Sequence, residues 1–105
     1  MTNRRQSGRR RDLRAAAAEA LAIAALGFIA GEPERLGRFL AMTGIGPDSI
    51  RAAAREPQFL LGVLDHLVAD EPLLLAFAAE NAIDPGEVIK ARDIIAGRRW
   101  ERDTP

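Results

Sequence analysis

Large apolar residues are densest between Pro57 and Phe77, where one acidic-proline break at Asp70-Glu71-Pro72 interrupts the run. Before the break, the large residues are Phe59, Leu60, Val63, Leu64, Leu67 and Val68. Their spacing places them on one broad stripe of an α-helix with a period of 3.6 residues. After the break, residues 73–82 are apolar on most sides. The pattern therefore predicts a helical hairpin whose second arm is the most buried helix of the fold.

Proline and glycine predict where the other helices begin and end. Proline suits the first helical position, where an N–H is not needed, and the residue before it avoids the helical region. Asp84 and Glu87 form a capping-box-like pair before the last helix. Gly31 and Gly97 are natural stops, because glycine tolerates the left-handed conformation that often ends a helix. The predicted helices span 13–30, 33–43, 47–55, 57–69, 72–82 and 85–96.

Composition supports a purely helical fold. Alanine and leucine dominate, valine and isoleucine are sparse, tyrosine is absent, and no segment alternates as a strand would. A chain of 105 residues is long enough for one modest core. The sequence predicts an all-α, compact bundle of about five to six short helices joined by Pro/Gly turns. We expect a disordered arginine-rich arm at 1–12, a single helical domain at 13–97 and a polar tail at 98–105.

Charge is unevenly spread along a chain whose formal net charge is zero. Residues 1–14 hold six arginines and one aspartate, whereas residues 15–97 hold twelve acidic and six basic residues. A basic arm beside an acidic body indicates either a tail that touches nucleic acid or an arm that meets an acidic partner.

The sequence contains few signals for disulfide formation, export or membrane insertion. The chain has no cysteine, which excludes a disulfide framework and zinc-finger spacing. Arg10-Arg11-Asp12-Leu13-Arg14 before an alanine-rich stretch has the outline of a twin-arginine export signal. Against export, Glu19 interrupts the apolar region, and cleavage would remove a predicted core helix. No stretch approaches the roughly 20 apolar residues of a membrane span, so we expect a cytoplasmic protein with no membrane partner.

The apolar hairpin, PQFLLGVLDHLVADEPLLLAFAAE, and the earlier segment AALGFIAGEPERLGRFL at 24–40 carry a resemblance. Together with Trp100 near the C-terminus, they resemble a small alphaproteobacterial family catalogued as domain of unknown function 3572. The resemblance covers about residues 15–100 and leaves the arginine-rich start outside. It implies a small helical domain, and it carries no functional residue over to this chain.

The turn Gly44-Ile45-Gly46-Pro47 is the most informative short motif. A helix, this turn and a second helix resemble the hairpin of helix-hairpin-helix DNA-binding modules, in which glycine amides approach a phosphate. Gly44, Gly46 and the amides near Asp48 and Ser49 would be the contacts here. Asp48 departs from that pattern, because its carboxylate repels phosphate and can cap the next helix instead. A plain interhelical turn is the alternative interpretation.

Arginines of the arm are candidate nucleic-acid contacts, because guanidinium groups bind phosphate in a bidentate, salt-dependent way. The alternative is a solvated tail that aids solubility. The residues concerned are Arg4, Arg5, Arg9, Arg10, Arg11 and Arg14.

Catalytic chemistry is not indicated. His66 is the only histidine, and Asp70 follows it by one helical turn. Two ligands do not make a metal site, so a histidine paired with a carboxylate or water is the simpler interpretation. No nucleophile–base pair, P-loop or dinucleotide fingerprint is present. We expect a protein that is not an enzyme and that uses no metal and no cofactor.

The sequence thus favours a non-enzymatic interaction or adaptor module that contacts an unidentified protein or a second copy of itself. Leu61 and Ile94 lie off the main stripes of their helices and are candidate partner contacts. Trp100 is a third candidate, unless it folds back over the core. The alternative is a nucleic-acid accessory protein that uses the arm, with the Gly44 turn as a helper.

Overall fold

The computed structural model describes the backbone of residues 2–103 and the side chains of residues 13–97. Its helices are α1 (Thr2–Ala30), α2 (Pro33–Thr43), α3 (Ile50–Ala53), α4 (Pro57–Val68), α5 (Glu71–Glu80) and α6 (Pro85–Asp103). A short 3₁₀ turn, Pro47–Ser49, precedes α3. No strand occurs within residues 2–103. The predicted all-α bundle of short helices is confirmed.

Proline sets the helix starts as predicted. Pro33, Pro57 and Pro85 are the first residues of α2, α4 and α6, and Pro72 is the second residue of α5. Side-chain caps support two of these starts. Asp70 Oδ1 accepts a hydrogen bond from the Leu73 amide at 3.2 Å, and Asp84 Oδ1 accepts one from the Gly86 amide at 2.8 Å. Each cap satisfies an amide that the first helical turn leaves without an intrahelical partner.

Helix ends depart from the glycine-based prediction. Gly31 follows the end of α1, but it does not take up the left-handed conformation, since Gly44 is the glycine with a positive φ in the described part of the chain. The extended Glu32 before Pro33 ends the helical path instead. Gly97 lies within the bounds of α6. The predictions of a disordered arm and a polar tail concern residues whose side chains the structure does not describe.

The core lies where α1, α4 and α6 pack against one another, with α2 and α5 at the sides. Its fully buried large side chains come from five helices: Ile29, Phe39, Val63, Leu64, Leu67, Phe77, Val88 and Ile95. Aromatic pairs tie the flanking helices to this core. Phe77 of α5 meets Phe28 of α1 edge to face, with ring centroids 5.4 Å apart, and Phe39 of α2 meets Phe59 of α4 at 5.8 Å.

Helix α4, rather than α5, is the most buried helix, which corrects the prediction from apolar content. Six residues of α4 are buried, whereas α5 buries Leu74, Phe77 and Ala78. Leu75 of α5 is 48% exposed despite its place in the Leu-Leu-Leu run. The reason is position: α4 packs against α1, α5 and α6, whereas α5 lies at the edge of the bundle.

Candidate functional site

The outer face of α1 is apolar and exposed over more than three helical turns. At about 100° per residue, seven of the α1 residues whose side chains the structure describes lie within about 60° of Ala20 around the helix axis. All seven are exposed, and none is charged: Leu13, Ala16, Ala17, Ala20, Ile23, Ala24 and Gly27. We call this set the α1 outer face. Leu13 is 68% exposed and Ile23 is 53% exposed, so both large side chains project from a surface of small residues.

The opposite side of α1 is apolar as well. Ala15, Ala18, Ala22, Ala25, Leu26 and Ile29 are buried against the rest of the bundle. A helix that is apolar all round is ordinarily buried all round. Here α2, α4 and α6 cover one side, and the seven residues of the outer face stay exposed.

The other long helices carry charge on their exposed sides. Arg38 is exposed on α2, and Glu87, Lys90 and Asp93 are exposed on α6. From residue 15 to residue 31, Glu19 is the single charged residue, and it is half-buried at the flank of the outer face. Exposed apolar patches rimmed by polar residues are typical of interaction sites. The α1 outer face is therefore the candidate site of this molecule.

Gly27 is an unexplained glycine at the C-terminal end of this surface. Its φ is not positive, and a Cβ added there would meet no heavy atom within 4 Å outside the helix backbone. Glycine inside a helix costs roughly 0.8–1.0 kcal/mol relative to alanine. Nothing in the described fold requires glycine at this position.

A groove of about 650 Å³ adjoins the outer face along the line where α1 meets α6. Ala17, Leu21 and Ile94 contribute apolar surface to it. Its charged lining carries both signs and consists of Arg14, Glu87, Lys90 and Asp93. The groove extends the apolar surface from α1 towards α6.

The three residues predicted as partner contacts, Leu61, Ile94 and Trp100, differ in their exposure and in whether the structure describes them. Leu61 is 8% exposed and belongs to the core cluster, because α4 is covered on almost every side, so little of its surface is open to a partner. Ile94 is half-buried and lines the groove between α1 and α6. Trp100 lies outside the residues whose side chains the structure describes.

The predicted phosphate-binding turn uses its amides internally. Gly44 has φ 73° and ends α2, and its amide donates to the Leu40 carbonyl at 2.8 Å. The Ser49 amide donates to the Gly46 carbonyl at 3.0 Å. The helix that follows, α3, has four residues. Two of the proposed phosphate donors therefore already have backbone acceptors, which favours the interpretation of a plain interhelical turn.

We expect Gly44→Ala to lower the free energy of unfolding by about 1–2 kcal/mol, because an L-residue is strained at this positive φ. Gly46→Ala is the matched control. Gly46 has φ −76°, and an added Cβ would meet no heavy atom within 4 Å, so we expect a change within about 0.5 kcal/mol. Urea denaturation of both variants measures the difference. Equal destabilisation by the two would contradict the capping role of Gly44.

Of the candidate nucleic-acid arginines, Arg14 is the one whose side chain is described. It is exposed and lines the groove between α1 and α6. Arg4, Arg5, Arg9, Arg10 and Arg11 lie outside the described side chains, and their role stays a prediction.

His66 lies in a polar cleft between α2 and the start of α5. The cleft has a volume of about 410 Å³ and is also lined by Glu32, Glu34, Arg35, Arg38 and Asp70. The imidazole meets the Phe39 ring edge to face at 5.2 Å. Burial lowers the pKa of His66 below its usual 6.5, Asp70 acts in the opposite direction, and Arg38 lowers it further. No group of three metal-ligating residues occurs among residues 13–97.

Removal of the Arg38 charge and removal of the Asp70 charge should shift the pKa of His66 in opposite directions. We expect Arg38→Gln to raise the His66 pKa and Asp70→Asn to lower it further, while asparagine keeps the helix cap. A two-dimensional NMR titration of the single imidazole measures both shifts, with the exposed Arg51→Gln in α3 as control. Shifts of the same sign in the two variants would contradict this electrostatic account.

The lowered pKa of His66 has a consequence for stability. Because the folded-state pKa lies below that of the unfolded chain, the unfolded chain binds more protons between the two values. The free energy of unfolding therefore falls as the pH is lowered through about 6.5 and towards the folded-state pKa. His66 therefore makes the fold slightly less stable in acid. A lowered pKa does not suggest that this imidazole donates a proton in a reaction.

By length and composition, α1 contains one window that could cross a membrane, Leu13–Ala30, with a mean hydropathy of 1.7. This corrects the expectation that no stretch comes close to that length. One third of the window is buried inside the bundle, and core helices and signal sequences show the same composition. The window coincides with the part of α1 that carries both the inner core residues and the outer face.

Comparison with known proteins gives one match. Residues 15–98 match the family described as "Protein of unknown function (DUF3572)". The chain belongs to this family. The matched region runs from the start of the buried side of α1 to α6, and it contains most of the α1 outer face. No curated protein and no solved structure matches the chain.

The α1 outer face was not among the sequence-predicted site residues of this DUF3572 member. Its signal was present, since residues 15–31 contain one charge and are apolar at every turn. That pattern is also the pattern of a fully buried helix. Whether such a helix is fully buried or keeps an exposed apolar face depends on the arrangement of the other helices.

Proposed function

We propose that the chain acts by protein–protein contact, with the α1 outer face as the contact surface, and that it is not an enzyme. The observation that supports this proposal is the exposure of a charge-free apolar helix face in a bundle whose other exposed faces are charged. Removal of apolar surface from water contributes roughly 25 cal/mol per Å². A partner that covers this face therefore gains binding energy without desolvating any charge.

The composition of the face favours a helix as the partner. Five of its seven residues are alanine or glycine, and small residues let the backbones of two helices approach closely. A lipid surface is matched better by bulky Trp, Phe and Leu side chains. Leu13 and Ile23 are the two large residues of the face. Two large apolar side chains provide little surface for insertion into a membrane.

Several charged groups of the described cleft already have partners, which supports a structural rather than a catalytic role for them. Asp70 caps α5 and lies 4.0 Å from Arg38. Arg35 lies over the Phe28 ring at 4.1 Å. Outside the cleft, Asp65 of α4 accepts a hydrogen bond from Arg92 of α6. These contacts join helices to one another.

Site-specific photo-cross-linking tests the proposed surface. A photoreactive amino acid replaces Ile23 in the full chain, and in a second version it replaces Leu75, which is exposed to a similar extent on α5. We expect position 23 to give a discrete protein adduct in cells and position 75 to give none. Adducts of equal yield at both positions, or none at position 23, would contradict the assignment.

Nucleic-acid binding is the second candidate function, supported by the six arginines in residues 1–14. Fluorescence anisotropy with a non-specific duplex compares the full chain with a shortened chain that begins at Ala15. Binding that falls steeply with salt and is lost without the arm would support this function. The acidic body, with twelve acidic and six basic residues in 15–97, opposes any contact beyond the arm.

A further inference from the structure

We propose that the partner of the α1 outer face is a second copy of this chain, packed with its α1 antiparallel about a two-fold axis at Ala20. This inference rests on the proposed function and names its partner. The argument has three parts: the sequence of the face is complementary to itself, Gly27 has no role within one copy, and the size of the face fits a reversible dimer.

Self-complementarity follows from the positions of the residues around Ala20. The outer face consists of Ala20 and the residues 3, 4 and 7 positions to either side. In an antiparallel pair with its axis at Ala20, residues 7 positions away meet each other, and a residue 3 positions to one side meets the residue 4 positions to the other side, because these two share an edge of the interface. Ile23 then meets Ala16 of the second copy, and Leu13 meets Gly27 of the second copy.

The sizes of the paired residues match at every position. The two large side chains of the face both meet small residues, and the remaining pairs join Ala17 to Ala24 and Ala20 to itself. A parallel pair would instead place Leu13 against Leu13 and Gly27 against Gly27, which crowds the leucines and leaves a gap between the glycines. Interfaces related by a two-fold axis must be complementary to themselves, and the antiparallel arrangement meets this condition.

Gly27 acquires a role in this arrangement. Within one copy, nothing approaches the position closely enough to exclude a side chain. Opposite Leu13 of the second copy, the missing Cβ provides the space that a leucine side chain fills. The loss of helix propensity at Gly27 is then offset by contact between copies, and an exposed glycine within the last turn of α1 has an explanation.

The size of the face indicates a weak dimer. From Leu13 to Gly27 the face is about 21 Å long and about 10 Å wide. This strip is well below the roughly 800 Å² that each partner buries in a standard stable interface. The adjoining groove, with Ile94 beside Ala17, adds apolar surface at the edge. We therefore expect a weak, reversible dimer that dissociates on dilution.

Sedimentation equilibrium of the full chain from low micromolar to submillimolar concentration tests the proposal. We expect the weight-average mass to rise from the monomer value of 11.4 kDa towards twice that value. Ile23→Glu should weaken association at least tenfold, and Leu75→Glu, a substitution of equal chemistry at similar exposure, should leave it unchanged. A monomer at every concentration, or association that Ile23→Glu does not weaken, overturns the proposal.

An exchange of residue sizes tests the antiparallel pairing itself. Gly27→Leu should weaken the dimer about tenfold or more, because two leucines would then meet, although in one copy an added Cβ meets no heavy atom within 4 Å. Leu13→Ala combined with Gly27→Leu should restore association to within about threefold of the natural chain. Circular dichroism melts verify that each variant is folded. A double variant that stays as weak as Gly27→Leu alone overturns the pairing about Ala20.

The two proposals fail in distinguishable ways. A strict monomer whose position-23 photo-cross-linker captures a different protein overturns the second-copy inference and supports the proposed function. A monomer that gives no adduct at position 23 overturns both. A purified chain whose position-23 adduct has twice the monomer mass supports both.

Discussion

Replacement of Phe77 by alanine is expected to lower the free energy of unfolding by about 3–5 kcal/mol. Phe77 is 0% exposed, and its ring meets Phe28 edge to face at 5.4 Å. The substitution therefore removes apolar contacts and also leaves a cavity between α5 and the core. Single domains are stable by about 5–15 kcal/mol, so this variant should lose a large part of the stability of the fold. Urea denaturation followed by circular dichroism measures the change.

The matched control for Phe77 is Leu75, two residues earlier on the same helix. Leu75 is 48% exposed, so Leu75→Ala leaves no enclosed cavity and should cost less than about 1 kcal/mol. The contrast matters because the sequence alone treats both positions as part of one apolar run. Similar losses in the two variants would show that α5 is packed differently from the arrangement described above.

Local features of the sequence were sufficient to predict where helices begin. Pro33, Pro57 and Pro85 fix a helix start by sterics that act within a few residues, and the structure places α2, α4 and α6 at those prolines. The third predicted helix, 47–55, becomes a 3₁₀ turn and the four-residue α3. Propensity alone does not determine whether so short a segment completes an α-helix, because nucleation is unfavourable without tertiary support.

Burial depended on the arrangement of the helices and was predicted less well. The 3.6-residue period puts Val88, Ala91 and Ile95 on one face of the last helix, and all three are buried. Leu61 was placed outside the main stripe of α4, yet it is buried as well, because neighbours cover α4 on several sides. Periodicity identifies the most apolar face of a helix, but it does not report how many neighbours the helix has.

The candidate site also shows that periodicity does not report how many neighbours a helix has. Here the sequence pattern predicts more burial than the structure shows. An alanine-rich helix with apolar residues on every side predicts burial on every side. The bundle contains too few other helices to cover both faces of α1, since α2 and the short α3 do not reach its outer face. The site therefore arises from a shortage of neighbours, which a count of apolar positions along the chain does not reveal.

Ala22→Glu and Ala20→Glu separate the two faces of α1. Ala22 is 0% exposed, so a carboxylate there would be buried without a partner, and we expect a loss of at least about 3–5 kcal/mol in the free energy of unfolding. Ala20 is exposed at the centre of the outer face. There the same substitution should change the unfolding free energy of the monomer by less than about 0.5 kcal/mol.

The two glutamate variants also separate folding from association. Ala20→Glu places two like charges at the proposed two-fold axis, so the folded chain should remain monomeric at concentrations at which the natural chain dimerises. Thermal melts at low protein concentration measure stability, and sedimentation equilibrium at high concentration measures association. Destabilisation of the monomer by Ala20→Glu would show that the outer face is covered within a single chain. A stable monomer that no longer associates would show that one helix supplies the core with one face and the partner with the other.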